Sequence, residues 1–538
     1  MISVQRGTPP QRFSVQIVLI LSLIGLVAPS LIADGPIQVE IATIGHIYPE
    51  SMSCLPYVAP PQDLAKAYVN RRYQGIFNFT ITYIFDRTIP SCAALADHAV
   101  HLITRWFYGH KDNNTVLALI FAGCSGPEVV YMNQIAAAQN VLMITHNNDH
   151  EVIRNKALSP TFVSLAHYIS SDYREFYKRI AEVYNWTSVY VVIDDTSVWV
   201  YTLTAWAAIE GIESLPNRVV TVKHILRNAS AEIAPILHDF RTISRVMLFC
   251  GRAERLRTVL IQASELNMTN GEFVYITMEN FHYKTLYGNL DWRNGDEHDQ
   301  VVERAFASVL VIRAADYDNQ FSVSSDLSAV DISRRAKTDY NFTLPINDQP
   351  VINLLAPFMA VKILAEILNR SNELHGTSSL HDGRNLANMF RNRTFLTEFG
   401  DIEIGPSGRR VVDLVLFCFE TREKSFRPFL LFKPTSRRIE PLRGIVSWVN
   451  GNSWPPPNEP RCGFTGRLCE VTSLQTELAS IATPIVTLVA LCCLLACYLV
   501  WRHCHNLKRQ EWWIIQYETM RYDDLPTGYL SLLRCRGE

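Results

Sequence analysis

The chain has 538 residues, a formal net charge of −2 and 48% hydrophobic residues. A near-neutral balance without a basic stripe excludes nucleic acid as an expected partner, and the length exceeds one ordinary domain. The apolar share is high enough to direct attention to membrane segments.

The first apolar run, VQIVLILSLIGLV (15–27), is too short to span a bilayer. It has Arg6 and Arg12 ahead of it and the small residues Ala28, Ser30 and Ala33 behind it, which predicts a cleaved signal peptide over residues 1–33. Strands and helices then alternate. IQVEIATIGHI (37–47), FNFTITYIF (77–85), VLALIFAGC (116–124) and VLMITH (141–146) read as strands. DLAKAYVNRRY (63–73), CAALADHAVHLITRWF (92–107) and PEVVYMNQIAAAQN (127–140) read as the helices between them. Near-continuous apolar strands separated by helices predict a parallel sheet covered on both faces.

A second series starts near Thr161, with strands at WTSVYVVIDD (186–195), RVMLFCG (245–251) and EFVYITM (272–278). Its helices are SDYREFYKRIAEVY (171–184), VYTLTAWAAIEGI (200–212) and RAERLRTVLIQASEL (252–266). A long amphipathic helix follows at 351–369, and two β-like stretches, 397–410 and 411–432, suggest a hairpin turning at Gly405–Gly408. The expected fold class is α/β: two doubly wound parallel-sheet lobes over 34–453, whose cleft at the strand carboxyl ends takes a ligand and closes on it.

Residues 454–477 contain three consecutive prolines and then Cys462 and Cys469, which would lock a small loop. This is a stiff collar. The run LASIATPIVTLVALCCLLACYLVW (478–501) has no charged residue and covers about 36 Å at about 1.5 Å per residue, enough for a transmembrane helix. Arg502, Lys508 and Arg509 follow it, so the positive-inside rule places a short tail, 502–538, in the cytosol and the N-terminal part outside. The sequons at Asn78, Asn113, Asn185, Asn228, Asn267, Asn341, Asn369 and Asn392 all precede this run, consistent with glycosylation in an oxidising compartment.

DYNFT (339–343), NRTFLTEFGDIEIGPSGRR (392–410) and above all WPPPNEPRCGF (454–464) carry a resemblance. The outer part is similar to the type I periplasmic-binding-protein-like ligand-binding regions of receptor guanylate cyclases and natriuretic peptide receptors. WWIIQYETM (512–520) resembles the stretch that precedes the kinase-like domain in those cyclases. The resemblance implies a plasma-membrane receptor that binds an extracellular peptide or small molecule, forms a homodimer, and passes a rearrangement through the collar into cGMP signalling.

Cys54, Cys92 and Cys124 each follow one of the first three strands, share one rim, and any two could pair. The resemblance favours Cys92–Cys124. It also implies a partner for Cys250 in the connection IDDTSVWVY (193–201), which has no cysteine, so that bridge is expected to be absent. Cys250 and Cys418 are read as buried thiols. The family's chloride-site serine corresponds to Phe85 here, which leaves only the backbone amides of Gly123 and Cys124 as donors, and the sequence leaves open whether chloride binds.

Catalytic signatures are missing. GCSGP at 123 is not a nucleophile elbow, and HEVIR at 150 has Arg154 where a zinc helix needs histidine. Kinase motifs and a phosphate loop are not found, and residues 502–538 cannot hold a cyclase domain. The chain is therefore expected to be no enzyme, with no cofactor and no metal site. Ser125 and Gly126 fall at a strand end and helix start, where free N–H groups favour anions, and Thr145 and Asn147 fall on the neighbouring strand end. Tyr168, Asp194 and Asp195 are the second-lobe candidates for the cleft. A clearance or decoy receptor and a static membrane glycoprotein are the competing readings.

Overall fold

The computed structural model describes residues 35–48, 53–110, 114–122, 128–146, 151–226, 230–279, 284–315, 329–344, 352–398, 400–442, 448–449, 454–460, 462–465 and 467–511. The expected signal peptide, Ser125, Gly126, Asn147, Cys124 and the tail beyond 511 lie outside them. Two compact bodies divide the chain, 1–460 and 461–538.

In the first body, β1 (Ile37–Ile44), α1 (Leu55–Arg72), β2 (Phe77–Ile84), α2 (Cys92–His110), β3 (Thr115–Phe121), α3 (Glu128–Gln139), β4 (Leu142–Thr145) and β5 (Phe162–Ser164) build one lobe. Its sheet is parallel with order β2-β1-β3-β4-β5. The period-2 rule sorts the strand side chains. Val39, Ile41, Phe79 and Ile120 join the core with α1, whereas Ala42, Ile44, Leu119 and Phe121 face Leu95, Ile103 and Met132 of α2 and α3.

The second lobe contains α4 (Ser170–Val183), β6 (Ser188–Asp194), α5 (Trp199–Glu213), β7 (Val219–Ile225), α6 (Ile233–Ile243), β8 (Val246–Cys250), α7 (Ala253–Glu265), β9 (Val274–Met278), α8 (Lys284–Tyr287), α9 (Asp299–Phe306) and β10 (Val309–Ala314). The chain then returns to the first lobe with α10 (Ala329–Tyr340), α11 (Ile352–His375), α12 (Gly383–Phe390), β11 (Arg393–Phe395) and β12 (Ile402–Ile404). Phe358, Leu364 and Leu368 of α11 fill the same core as Val69 of α1. Finally β13 (Leu414–Glu420), β14 (Ser425–Lys433) and β15 (Arg438–Pro441) enter the second lobe, whose sheet runs β15-β14-β13-β10-β9-β8-β6-β7.

The parallel part of this sheet, β7-β6-β8-β9-β10, repeats the winding of the first lobe, as expected for two doubly wound lobes. The last three strands are antiparallel additions at one edge. The expected hairpin at Gly405–Gly408 forms, but it is short. A tight turn does form at Gly405–Gly408, closed by Gly408 N–H donating to the Gly405 carbonyl at 3.0 Å. Across it Ile404 of β12 lies antiparallel to Arg410, with Gly405 N–H donating to the Arg409 carbonyl at 2.9 Å and Val411 N–H to the Glu403 carbonyl at 2.8 Å. The return arm ends there: β12 also pairs with β11, and β13 pairs with β10 and β14. The long stretch 411–432 is itself a hairpin, with its turn before Ser425.

In the second body, α13 (Arg467–Glu511) is one continuous helix. Its segment Leu478–Leu507 has a mean hydropathy of 2.4 and is long and apolar enough to cross a membrane. Every side chain along that segment is exposed.

Helices α4 and α5 approach at Gly211, where a Cβ would lie 2.3 Å from the Arg174 carbonyl oxygen. Gly211→Ala is therefore expected to lower stability by about 1–3 kcal/mol through overpacking. The thermal midpoint of the purified chain checks this.

Candidate ligand-binding cleft

In sheets of this winding, ligands meet the carboxyl ends of strands where the strand order reverses. Those points are β1/β3 in the first lobe and β6/β8 in the second. The carboxyl ends of β5 and β10 are also where the chain passes between lobes, so these edges face the connections.

Of the first-lobe candidates, Thr145 is described. It ends β4, is 1% exposed, lies opposite Ser164 of β5, and its carbonyl accepts from Leu165 N–H at 2.8 Å. In the second lobe Asp194 ends β6 at the reversal point and is buried. Its carboxylate accepts from Thr196 N–H at 3.1 Å, from the Thr196 hydroxyl at 2.5 Å and from the Ser197 hydroxyl at 2.7 Å, and the Arg255 guanidinium stands 3.8 Å away. Ser197 Oγ in turn accepts from Arg252 N–H ahead of α7. A Cβ on Gly251 would lie 2.6 Å from Asp194 Cβ, so the β6/β8 crevice is filled by the protein itself.

Tyr168 is buried, stacked on Tyr173 with centroids 4.9 Å apart, and its hydroxyl meets Thr204 Oγ1 at 2.8 Å. Thr204 Oγ1 also contacts Met278 Sδ at 2.9 Å, which links Tyr168 to the end of β9. Asp195 pairs with His224 on the outer side at 2.9 Å.

The sequence reading missed the β9 end. Tyr201, Thr277, Met278, Glu279, Tyr287 and Leu290 line a small cavity there. Tyr201 donates to the Tyr287 carbonyl at 3.1 Å, and burial pushes its phenol well up. Glu279 is paired with Arg313 at 2.5 Å, and Arg313 lies over the Phe417 ring. Tyr287 packs against the cores of both lobes, so this cavity sits where they meet. The signal was present in YITMEN, an acidic residue directly after a strand.

The lobes are tied at a hinge. Ser164 N–H donates to the Gly408 carbonyl at 2.9 Å, and Arg410 N–H donates to the Ser164 carbonyl at 2.8 Å. Arg409 between them reaches the second lobe, bonding Ser171 Oγ at 2.7 Å and the Asp172 carboxylate of α4. Burial raises the Asp172 carboxyl above its ordinary range, and Arg409 opposes this only in part.

Comparison with known proteins now decides the family. A profile described as "Receptor family ligand binding region" matches residues 62–420. The chain belongs to that family. The human atrial natriuretic peptide receptor 2 is 25% identical over 283 residues, covering 50% of this chain and 26% of the relative. The Caenorhabditis elegans receptor-type guanylate cyclase gcy-28 is 24% identical over 249 residues, 45% of this chain and 19% of the relative. The bovine atrial natriuretic peptide receptor 3 is 22% identical over 195 residues, 36% and 34%. The chain thus spans about a fifth to a third of these relatives' lengths. Its ligand-binding region is homologous to those of natriuretic peptide receptors and receptor guanylate cyclases.

Within this receptor ligand-binding region, Cys54 and Cys250 are buried thiols and Cys418 is a half-buried one. Burial pushes the Cys250 thiol far up. Cys462 is disulfide-bonded, while the side chains of Cys92 and Cys469 lie outside the described set. The sequon residues Asn78, Asn185, Asn267, Asn341 and Asn392 are exposed. Asn369 is half-buried in α11 and donates to Glu373 at 2.7 Å. Asn113 and Asn228 are not among the described residues. The start of the expected collar is docked on the second lobe: Trp454 packs on Tyr184, Phe429 and Trp448, and the Asn458 carbonyl accepts from Arg245 N–H at 3.1 Å.

Because the Asp172 carboxyl is raised in the fold, its contribution to stability is complete below the ordinary value of 3.8 and is lost as pH rises through the folded value. Asp172→Asn is expected to flatten this loss. Thermal midpoints taken from about pH 4 to about pH 7 should fall less in the variant than in the native chain. An unchanged slope would assign the pH dependence to another group.

Proposed function

We propose that the protein is a single-pass cell-surface receptor with its N-terminus outside, which binds an extracellular peptide or small molecule in the cleft and signals across the membrane in the manner of a receptor guanylate cyclase. The observation that carries this reading is one chain combining a two-lobed ligand-binding region of the receptor family with one apolar helix of membrane length. Exposed sequons on both lobes support the outside placement. The ligand contacts would come from the β4 end with Thr145, the neighbouring segments with Ser125, Gly126 and Asn147, and the β9 end with Tyr201 and Glu279. Tyr168 and Asp194 would act from behind, by positioning. The disulfides Cys92–Cys124 and Cys462–Cys469, and a homodimer, are part of the same proposal.

Coupling would run through the second lobe, because Trp454 and Asn458 hold the segment leading to the membrane helix against it. A rotation of that lobe is then passed on instead of being absorbed by a loose linker.

The test is made on membranes of cells expressing the native gene. After enzymatic removal of N-glycans, an antibody to the ectodomain is expected to reveal a product well beyond 538 residues, with cyclic GMP rising on addition of the ligand. Saturable ligand binding by a product of this length without cyclic GMP would favour the clearance reading. Glycan-free sequons and no binding at all would defeat the receptor reading. Trp454→Ala is expected to keep ligand affinity within about threefold while reducing the cyclic GMP response, and an equal loss of both would remove the coupling argument.

A further inference from the structure

The two large sheets have four edge strands, and three of them are guarded. β5 is continued by the hinge through Ser164 and Arg409. β15 is four residues long and ends on Pro441, which has no N–H to offer. β2 exposes the polar side chains of Asn78 and Thr80. β7 is the exception. It is seven residues long, pairs only with β6 among the described residues, and begins with the β-branched run Val219, Val220, Thr221, Val222. Such an edge is a template for pairing with another chain. Its charged residues come late and are matched within the lobe: Lys223 pairs with Asp239 at 3.1 Å and His224 with Asp195 at 2.9 Å. Val219, at the start, is 61% exposed.

Asn185 stands at that unguarded end. It is an exposed turn residue just after α4, at φ +50°, a left-handed conformation that asparagine tolerates. Val183, the last residue of α4, is 59% exposed. Arg218, the residue before Val219, donates from Nη2 to Asn185 Oδ1 at 3.1 Å, and Val219 N–H donates to the Thr187 carbonyl at 2.9 Å. The sequon Asn185-Trp186-Thr187 is thus fastened beside the first residues of β7. The Arg218 bond also fixes the amide. Oδ1 is taken, while Nδ2 has no hydrogen-bond partner among the described residues. By contrast Asn78 Nδ2 donates to Gln38 and Asn369 Nδ2 to Glu373, both at 2.7 Å.

We propose that an N-linked glycan on Asn185 covers the apolar corner at Val183 and Val219 and keeps the edge of β7 from pairing with another chain. The inference rests on the outside placement of this lobe, but not on the ligand reading. The modification forms a bond from Asn185 Nδ2 to the anomeric carbon of an oligosaccharide carried on a lipid diphosphate. The bond from that carbon to the diphosphate oxygen breaks, and the amide proton leaves with the diphosphate. The Oδ1 acceptor is not consumed, so the Arg218 bond persists and holds the first sugar at the corner. A glycan there is bulky and hydrated, and it stands in the path of an approaching strand. It also removes exposed aliphatic surface from water.

The test uses the full chain from a eukaryotic secretory host, in detergent micelles. Glycopeptide mass spectrometry is expected to find Asn185 occupied. Size-exclusion chromatography with light scattering then compares the native chain with three variants. Asn185→Gln is expected to raise the fraction larger than the native assembly several-fold, and Asn392→Gln to leave it unchanged. Asn185→Gln combined with Val219→Lys is expected to return it to the native level, because a lysine on an edge strand opposes pairing. Should Asn185→Gln fail to fold, enzymatic removal of glycans from the folded native and Val219→Lys chains takes its place, the first then assembling and the second staying dispersed. Glycans at other sequons with none at Asn185 would overturn this inference alone. No glycan at any sequon would overturn it together with the outside placement. It also fails if loss of the Asn185 glycan adds no assembly, or if Val219→Lys does not reverse the assembly.

Discussion

Arg409 is held by both lobes at once. Its backbone neighbours are hydrogen-bonded to Ser164 at the end of the first lobe's sheet, while its guanidinium bonds Ser171 and Asp172 at the start of the second lobe's first helix. Asp172 is 5% exposed, and a buried carboxylate needs that partner: breaking such a pair typically costs about 3–5 kcal/mol. The lobes therefore cannot part at this point. They can turn about it, because the tie is one short strand pair with a tight turn beside it. An opening of the cleft would be a rotation about this fixed edge.

The lobes share one winding but spend their strand ends differently. In the second lobe the crevice at the strand-order reversal is closed: Asp194 caps the turn into α5, Arg255 neutralises it, and Gly251 leaves no room. A buried carboxylate with three donors and a cation is already satisfied, so displacing those donors would cost more than a ligand returns. A small cavity is found instead beside β9, where Tyr201, Thr277 and Glu279 line it and Tyr287 bridges to the first lobe.

Much of this was legible in the sequence, for physical reasons. Runs such as VYVVID and VMLFC are apolar on both faces, which only a covered parallel strand needs, and the amphipathic stretches between them had to be its covering helices. Short or weakly patterned strands were not legible. β5 has three residues and is defined by pairing with β4 and the hinge. β7, VVTVKHI, is a half-exposed edge strand. The pairing of β13 with β10 joins residues about a hundred positions apart, so the local turn signals at Gly405–Gly408 found the short hairpin there but not the partner of β13. Asp194 was correctly placed at a strand end, but its hydrogen-bonding load depends on Ser197 and Arg255, which composition cannot reveal.

The collar shows the same limit. Its prolines and the cysteine pair suggested stiffness, and a stiff free segment would serve that reading equally well. What fixes its meaning is Trp454 against Tyr184, Phe429 and Trp448, contacts that come from a helix end, a late strand and a neighbouring loop. All of these belong to the second lobe. The segment before the long apolar helix, over 454–460, is thus an extension of one lobe's core. Proline stiffness alone preserves a distance, whereas burial of an aromatic side chain also preserves an orientation, so the proposed transmission of a lobe rotation would need the Trp454 contacts and not the prolines alone.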